Sequence, residues 1–213
     1  MQEFYTTVGK RAQAEIVEKR SRFIANVKPV QSEEEALAFL EEMQKTYRDA
    51  THNVYAYIVR ENNIMRYSDD GEPGGTAGLP VLDMMRKEGI CDLITVVTRY
   101  FGGTLLGTGG LVHAYSKSAK EGLKAAGLVD MILCRRLTLT AEYTLLGKLQ
   151  HTLAGFPEVM QEEAIYADKV TIPLYLPLEQ TDGFCHTITD TMNAQVVIEC
   201  GDTLYHGKPR NFS

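Results

Sequence analysis

Apolar residues recur along this chain with two alternating periods, every second position in some segments and every third or fourth in others, as mixed strand and helix require. Residues 14–19 (AEIVEK) and 22–27 (RFIANV) read as two short strands. Ser32 followed by Glu33, Glu34 and Glu35 then has the capping-box pattern, in which a hydroxyl and a carboxylate satisfy orphan amides at a helix start. The helix predicted there runs to Arg48, with Ala36, Leu37, Leu40, Met43 and Tyr47 as its buried stripe. Residues 53–60 and 64–68 bracket Glu61-Asn62-Asn63 as a hairpin. A glycine-rich stretch at 71–78 leads into a second helix, with Thr76 as its cap, Pro80 in the tolerant first turn and Gly89 at its end. Residues 92–98 (DLITVVT) predict a buried central strand, followed by a helix over 110–126 and a strand over 130–136.

The remainder reads as strand 136–143, helix 145–154, strands 159–166 and 169–176, helix 178–192 and strand 194–200. That β-α-β-β-α-β order is the ferredoxin-like pattern. Charge divides the chain at nearly the same place: residues 1–136 hold 18 basic and 18 acidic side chains, and residues 137–213 hold 4 and 10. An α+β protein of two domains is therefore expected, 1–135 and 136–205, with a loose polar tail over 206–213.

At 44% apolar and 23% charged, the 213 residues suit a water-soluble protein with a real core. A net charge of −6 argues against holding polyanions by the overall field, so any nucleic-acid contact must be a local patch. No apolar run suits a membrane span, and the first 20 residues carry charges where a leader would need an apolar stretch, so a cytoplasmic protein without membrane contact is expected. Cys91, Cys134, Cys185 and Cys200 show no metal-ligand spacing and are expected as reduced thiols. No cofactor or resident metal is expected, and the sequence leaves the oligomeric state open.

Two glycine-rich segments carry the candidate chemistry, YSDDGEPGGTAGLP at 67–80 and TRYFGGTLLGTGGLVHAY at 98–115. Gly102, Gly103, Gly107, Gly109 and Gly110 precede or open a helix, where backbone amides can approach an anion, although the spacing matches neither a P-loop nor a dinucleotide fingerprint. The other reading of these glycines is a tight turn that lets helix and strand pack closely. With Arg99 beside the loop and His113, Lys117 and Lys120 stepping along the helix, they form a candidate phosphate-tracking surface; the alternative is a solvated helix face. Asp69, Asp70 and Glu72 could hold a cation or act as a base, but they are also good turn chemistry, and they could order the second segment through a salt bridge to Arg66 or Arg99. His52 could be a general base or complete a local hydrogen-bond network.

The two glycine blocks, in this order and with THNVYAY at 51–57 upstream, resemble the signature segments of the IMPACT/YigZ family. The resemblance implies a first domain with the β-α-β sandwich seen in a ribosomal-protein domain and in GHMP kinases, and a second domain similar to domain V of elongation factor G. It also implies a translation-linked, non-catalytic role, contacting RNA, the ribosome or a translation-factor partner through the glycine-rich face. Eukaryotic IMPACT regulates translation by competing for a coactivator of an initiation-factor kinase, but its additional N-terminal RWD-type domain has no counterpart in this sequence, so that partner is not carried over. His113 stands where the resemblance leads one to expect Arg, so phosphate affinity there would depend on pH. The alternative is an enzyme acting on a phosphorylated or peptide-like small molecule, with Asp69, Asp70 or Glu72 as acid, base or metal ligand. A single deep pocket combining His52, a carboxylate and the glycine loop would favour the enzyme.

Overall fold

The computed structural model describes residues 4–210. They form an α+β protein with two sheets and divide into two compact units, Tyr5–Asp130 with residues 208–210, and Met131–Gly207 with Phe4. The division falls between Asp130 and Met131, a few residues before the join at 135/136 that charge and element order suggest.

The first unit is built on a five-stranded antiparallel sheet in the order β2-β3-β6-β4-β5: β2 (Ala12–Glu18), β3 (Ser21–Pro29), β4 (His52–Val59), β5 (Ile64–Ser68) and β6 (Leu93–Tyr100). Lys19 and Arg20, both with positive φ, make the tight turn between β2 and β3 whose twist suits a two-residue hairpin. Period-2 alternation sends Phe23, Ala25, Val27, Val54, Ala56, Ile58, Leu93 and Val97 to one face of this sheet, where α2 (Gly78–Lys87) and α3 (Gly107–Ala126) cover them. Tyr57, Val59, Ile94 and Val96 point to the other face, under α1 (Glu33–Thr46).

Half of the capping box forms as read, Ser32 accepting the Glu35 amide; the Glu35 carboxylate reaches one residue further back and accepts the Gln31 amide at 2.9 Å. The stripe needs one correction. Ala36, Phe39, Leu40 and Met43 are buried, whereas Leu37 is exposed, because it sits a full 100° step from Ala36 and off the centre of the face. A first strand, β1 (Phe4–Val8), went unread; its short FYTTV run shows too few apolar positions to display a period.

The cap of α2 also differs. Thr76 bonds the Pro73 carbonyl instead, and the Asp69 carboxylate accepts the amides of Gly75, Ala77 and Gly78 at 2.8, 3.0 and 2.8 Å. A carboxylate at the positive helix end is the favourable electrostatic choice, here supplied from eight or nine residues upstream. Helix α3 begins at Gly107, three residues earlier than the glycine run suggests.

The second unit is built from β7 (Leu128–Ala141) beyond Asp130, α4 (Leu146–Leu153), β8 (Met160–Gln161), β9 (Ile165–Tyr166), β10 (Val170–Pro177), α5 (Thr181–Thr191) and β11 (Val197–Arg210) as far as Gly207. Here β7 lies between β11 and β10, and β8 and β9 pair with β10. Residues 130–136 and 136–143, read as two strands, are one continuous strand. The expected strand over 159–166 is broken into two short pieces. Its core gathers Leu137, Leu139, Leu149, Leu153, Ile172, Leu174, Phe184 and Ile188. The loose tail expected over 206–213 is corrected as far as Arg210: β11 continues to that residue, and Arg210 donates to the Thr6 hydroxyl at 3.1 Å. Its residues are mostly exposed, so no apolar alternation betrays the strand; residues 211–213 lie outside the described residues. Among the described residues no helix is long and apolar enough to cross a membrane.

Asp69 holds three amides that otherwise lose their partners, and each bond to a charged group is worth about 1.5–3 kcal/mol before the site relaxes. Asp69→Ala is expected to lower unfolding stability by about 2–4 kcal/mol in urea titration, and Asp69→Asn by less, since one acceptor oxygen survives. Equal stability of Asp69→Ala and wild type would show that the loop does not depend on this carboxylate.

Candidate functional site

The row that begins with the buried Leu93 and Val97 on β6 ends, two residues on, at Arg99. Antiparallel register sets Phe23 of β3 opposite Arg99 on one side and His52 of β4 opposite it on the other. Three side chains on adjacent strands therefore share the face covered by α2 and α3. From above, α3 lowers Tyr115, one turn beyond Leu111, and the loop between β5 and α2 lowers Glu72.

The Arg99 and Glu72 side chains are only 6% and 4% exposed, a depth at which a charge persists only when paired. Arg99 Nη1 donates to Glu72 Oε1 at 2.5 Å, and the Tyr115 hydroxyl donates to the same oxygen at 2.8 Å. Burial first, and then the Glu72 charge, pushes the Tyr115 phenol far above its ordinary value, so its hydroxyl remains a donor. The Tyr115 ring meets Phe23 edge-on at 5.1 Å, and the Arg99 guanidinium lies 5.4 Å from the Phe23 ring and 5.5 Å from the Phe101 ring. Ser21 links the other glycine segment to this cluster, accepting the Gly102 amide at 3.2 Å. Gly102 is required there, since a Cβ on it would overlap the Arg20 backbone.

The acidic segment is a scaffold. Asp69 caps α2, and the Asp70 carboxylate accepts the Asn53 amide at 2.5 Å. Glu72 pairs with Arg99, one of the two cations the sequence offers; Arg66 instead donates to its neighbour Met65's carbonyl. The three carboxylates diverge, and no group of His, Cys, Asp and Glu among the described residues could hold a metal ion. The Asp70 carbonyl lies 2.6 Å from His52 Nδ1. A carbonyl can only accept, so Nδ1 carries the hydrogen, and in the neutral ring Nε2 presents a lone pair. Nε2 stands 3.8 Å from Glu72 Oε1.

These residues form one wall of a half-open cavity of about 450 Å³. Thr51, His52, Glu72 and Arg99 line it with Pro73 and Phe101, and Leu105, Leu106, Gly107, Thr108 and Leu111 complete it. The exposed part of the lining is overwhelmingly apolar. At the rim Leu105 is 82% exposed and Phe101 47%. A cavity of about 370 Å³ in the second unit, lined by Ile132, Leu133, Glu158, Pro177, Leu178 and Glu179 among others, holds none of the candidate residues.

The surface expected to combine Arg99, the glycine loop and the basic row is divided. Gly107 lines the cavity, Gly102 packs on the Arg20 backbone, Gly110 lies against Leu106, and Gly103 and Gly109 face open space. His113 and Lys117 are exposed and Lys120 half-buried. At about 100° per residue they lie roughly 180–240° around α3 from Leu111, away from the face that carries Thr108, Leu111 and Tyr115. Sequence reasoning missed Tyr115 and Ser21 as site residues. Tyr115 gave one signal, since a tyrosine on a buried helical stripe needs a partner for its hydroxyl.

Residues 19–123 match the Impact N-terminal domain, and residues 139–195 match a domain of unknown function, DUF1949. The IMPACT family member YvyE of Bacillus subtilis is 39% identical over 208 residues, which span 97% of this chain and 95% of that protein. The chain belongs to the IMPACT family. Its pairing of the two domains is that of the bacterial YigZ/YvyE type, and YigZ of Escherichia coli is 36% identical over 181 residues, 81% of this chain and 85% of its own. The Protein IMPACT homolog of Dictyostelium discoideum is 40% identical over 104 residues, 46% of this chain and 29% of that one. A crystal structure described as that of a hypothetical protein superposes with a TM-score of 0.59 at 29% identity, covering 93% of this chain and 97% of the other. Ser21, His52, Glu72, Arg99 and Tyr115 all fall within the segment that matches the Impact N-terminal domain.

Arg99→Met leaves the Glu72 carboxylate buried without its cation, and is expected to cost about 3–5 kcal/mol of unfolding stability. The double variant Arg99→Met/Glu72→Met removes both charges and should recover most of that loss in the same urea titration. If the double variant is no more stable than the single one, desolvated charge is not what the pair manages.

Proposed function

We propose that this IMPACT-family chain is a non-catalytic binding protein, linked to translation, whose first unit takes a small, largely apolar group of a protein partner into the cavity on its glycine-rich face. The supporting observation is the combination of an apolar lining with the exposed Leu105 and Phe101 at its rim, beside charged residues that already neutralise each other. Arg99 has little charge to offer a polyanion, and a phosphate-tracking surface has to rest on His113, Lys117 and Lys120 alone. The link to translation rests on the family resemblance. The first unit's helix-covered antiparallel sheet supports its likeness to the ribosomal-protein and GHMP-kinase sandwich. The strand order β11-β7-β10-β8 supports a ferredoxin-like second unit, akin to domain V of elongation factor G.

A second reading has its own support. One cavity does combine His52, a carboxylate and the glycine loop, and an Nε2 lone pair there could accept a proton from a peptide-like substrate. The carboxylates fit this reading less well, since Asp69, Asp70 and Glu72 are each engaged in holding the site together.

The deciding experiment is photo-crosslinking in cells from a benzophenone side chain placed at the exposed Thr104, beside Leu105, or at the exposed His113, one turn before Lys117, each in the wild-type, Leu105→Ser and Lys117→Ala/Lys120→Ala backgrounds. A ribosomal or translation-factor protein crosslinked from position 104, lost in Leu105→Ser and kept in the lysine variant, is the expected result. RNA crosslinked from position 113 and lost in the lysine variant would replace the cavity with the basic row. Turnover of a captured small molecule that His52→Gln abolishes would establish the enzyme.

A further inference from the structure

Two of the cysteines meet in the second unit, although they stand on different elements and show no motif in the sequence. On β11, Ile198 packs against the core of that unit, and strand alternation puts Cys200 on the same face two residues later. On α5, Cys185 packs against the same core, one position after the buried Phe184 and three before the buried Ile188. The Cys185 and Cys200 thiols hydrogen-bond to each other there. Each is carried by regular structure: Cys185 by the helix, and Cys200 by a strand that pairs with β7 and whose next residue, Gly201, lies against the Arg136 backbone. Side-chain rotation is the main freedom left to each thiol, and a contact already made is the first requirement for a bond of about 2.05 Å between the sulfurs.

The two thiols differ in what can reach them. Cys200 is exposed and Cys185 half-buried. Burial first, and then the neighbouring Cys200 and Asp182, push the Cys185 thiol above its ordinary value, with the Arg135 guanidinium acting against them. An exposed thiol beside a shielded one is the arrangement in which the first meets an oxidant and the second resolves the product. The other cysteines lack such a neighbour. Cys91, in the first unit, donates to the Thr6 carbonyl at 3.5 Å, and Cys134 is buried, on the opposite face of β7 from its neighbour Arg135.

We propose that Cys185 and Cys200 form a reversible dithiol–disulfide pair that responds to hydrogen peroxide and, when oxidised, fastens α5 to β11. The Cys200 thiolate attacks one peroxide oxygen, the O–O bond breaks, and the departing hydroxide takes up a proton and leaves as water. Cys200 is then a sulfenic acid. The Cys185 sulfur attacks the Cys200 sulfur, the S–O bond breaks, and the hydroxyl leaves with the Cys185 proton as a second water. Two thiols and one peroxide thus give one disulfide and two waters. A dithiol reductant returns the two electrons by exchange. The bond closes the chain over residues 185–200, and the loss of freedom in the unfolded state stabilises the closed segment.

The test is oxidation of the reduced full chain with a small excess of hydrogen peroxide, read by intact mass, by peptide mapping without reductant and by thermal unfolding. The expected product is a monomer lighter by about 2 Da, with the Cys185 and Cys200 peptides joined, Cys91 and Cys134 still alkylated, and the mass restored by dithiothreitol. Tm should rise by about 5 °C on oxidation and return on reduction. In Cys185→Ser, and equally in Cys185→Ala, Cys200 should stop at the sulfenic acid, trapped by dimedone at least tenfold more than in wild type. Cys200→Ser should leave Cys185 alkylatable. A sulfinic acid on Cys200 in place of the bond, a disulfide between two chains, or pairing with Cys91 or Cys134 overturns the pair. So does a Cys200 that stays reduced in peroxide sufficient to oxidise free N-acetylcysteine. A bond that forms with Tm unchanged or lowered overturns the fastening of α5.

Discussion

A guanidinium and a carboxylate can remain charged out of water only when each is held from several sides, and the contact between Arg99 and Glu72 imposes that condition on most of the first unit. Arg99 is placed by β6 and flanked through register by β3 and β4. Glu72 reaches it because Asp69 and Asp70 pin the preceding loop to α2 and to β4. Tyr115 brings α3 to the same oxygen, and Ser21 ties in the second glycine segment through Gly102. The two glycine-rich segments, thirty residues apart in the chain, are parts of one buried network. Small residues are needed where these segments approach each other and the sheet: a Cβ at Gly78 would collide with the Ser68 carbonyl, as one at Gly102 would with Arg20.

The same pairing changes what the site can bind. An arginine beside a glycine loop suggests phosphate recognition until its charge is seen to be held by a buried carboxylate. What is left facing the cavity is mostly apolar side chain, Pro73, Phe101, Leu105, Leu106 and Leu111. Such a surface discriminates by shape and apolar fit, and its affinity does not grow with the number of charges on the ligand. The exposed row of His113 and Lys117 obeys the opposite rule, because contacts in water are screened and add singly. The two surfaces of α3 thus suit different classes of partner.

Much of this architecture was legible in the chain. The capping box at Ser32, the hairpin around Asn62 and the buried strand through Ile94 and Val96 follow from local rules and appear where those rules put them. Both glycine segments and His52 stand out by their residue types, and Arg99 is one of the two cations that the sequence offers the acidic segment. What local rules could not supply was long-range. Tyr115 reads as one more core residue until the carboxylate beneath it is known. The placement of His113, Lys117 and Lys120 turns on where α3 begins and which face it buries. Strands β1 and β11 lack a visible period, one because it is short and the other because most of its residues are exposed.

The start of α3 shows how one position can serve two demands that conflict. A Ser or Asp at position 106 would cap the helix and stabilise it by about 1 kcal/mol, as Ser32 and Asp69 do for the other two helices of this unit. Leu106 stands there instead, 8% exposed, with its side chain forming part of the cavity wall and of the core. Its neighbour Gly107 has φ +73°, a left-handed conformation that L side chains adopt at a cost, so the turn into the helix is bent in a way that leaves the amides open. In a unit where Asp69 alone satisfies three amides, a long helix whose start has no side-chain cap among the described residues is a local exception. Departures from local stability concentrate where a protein meets its ligand, and this one lies on the wall of the cavity that also holds His52 and Glu72.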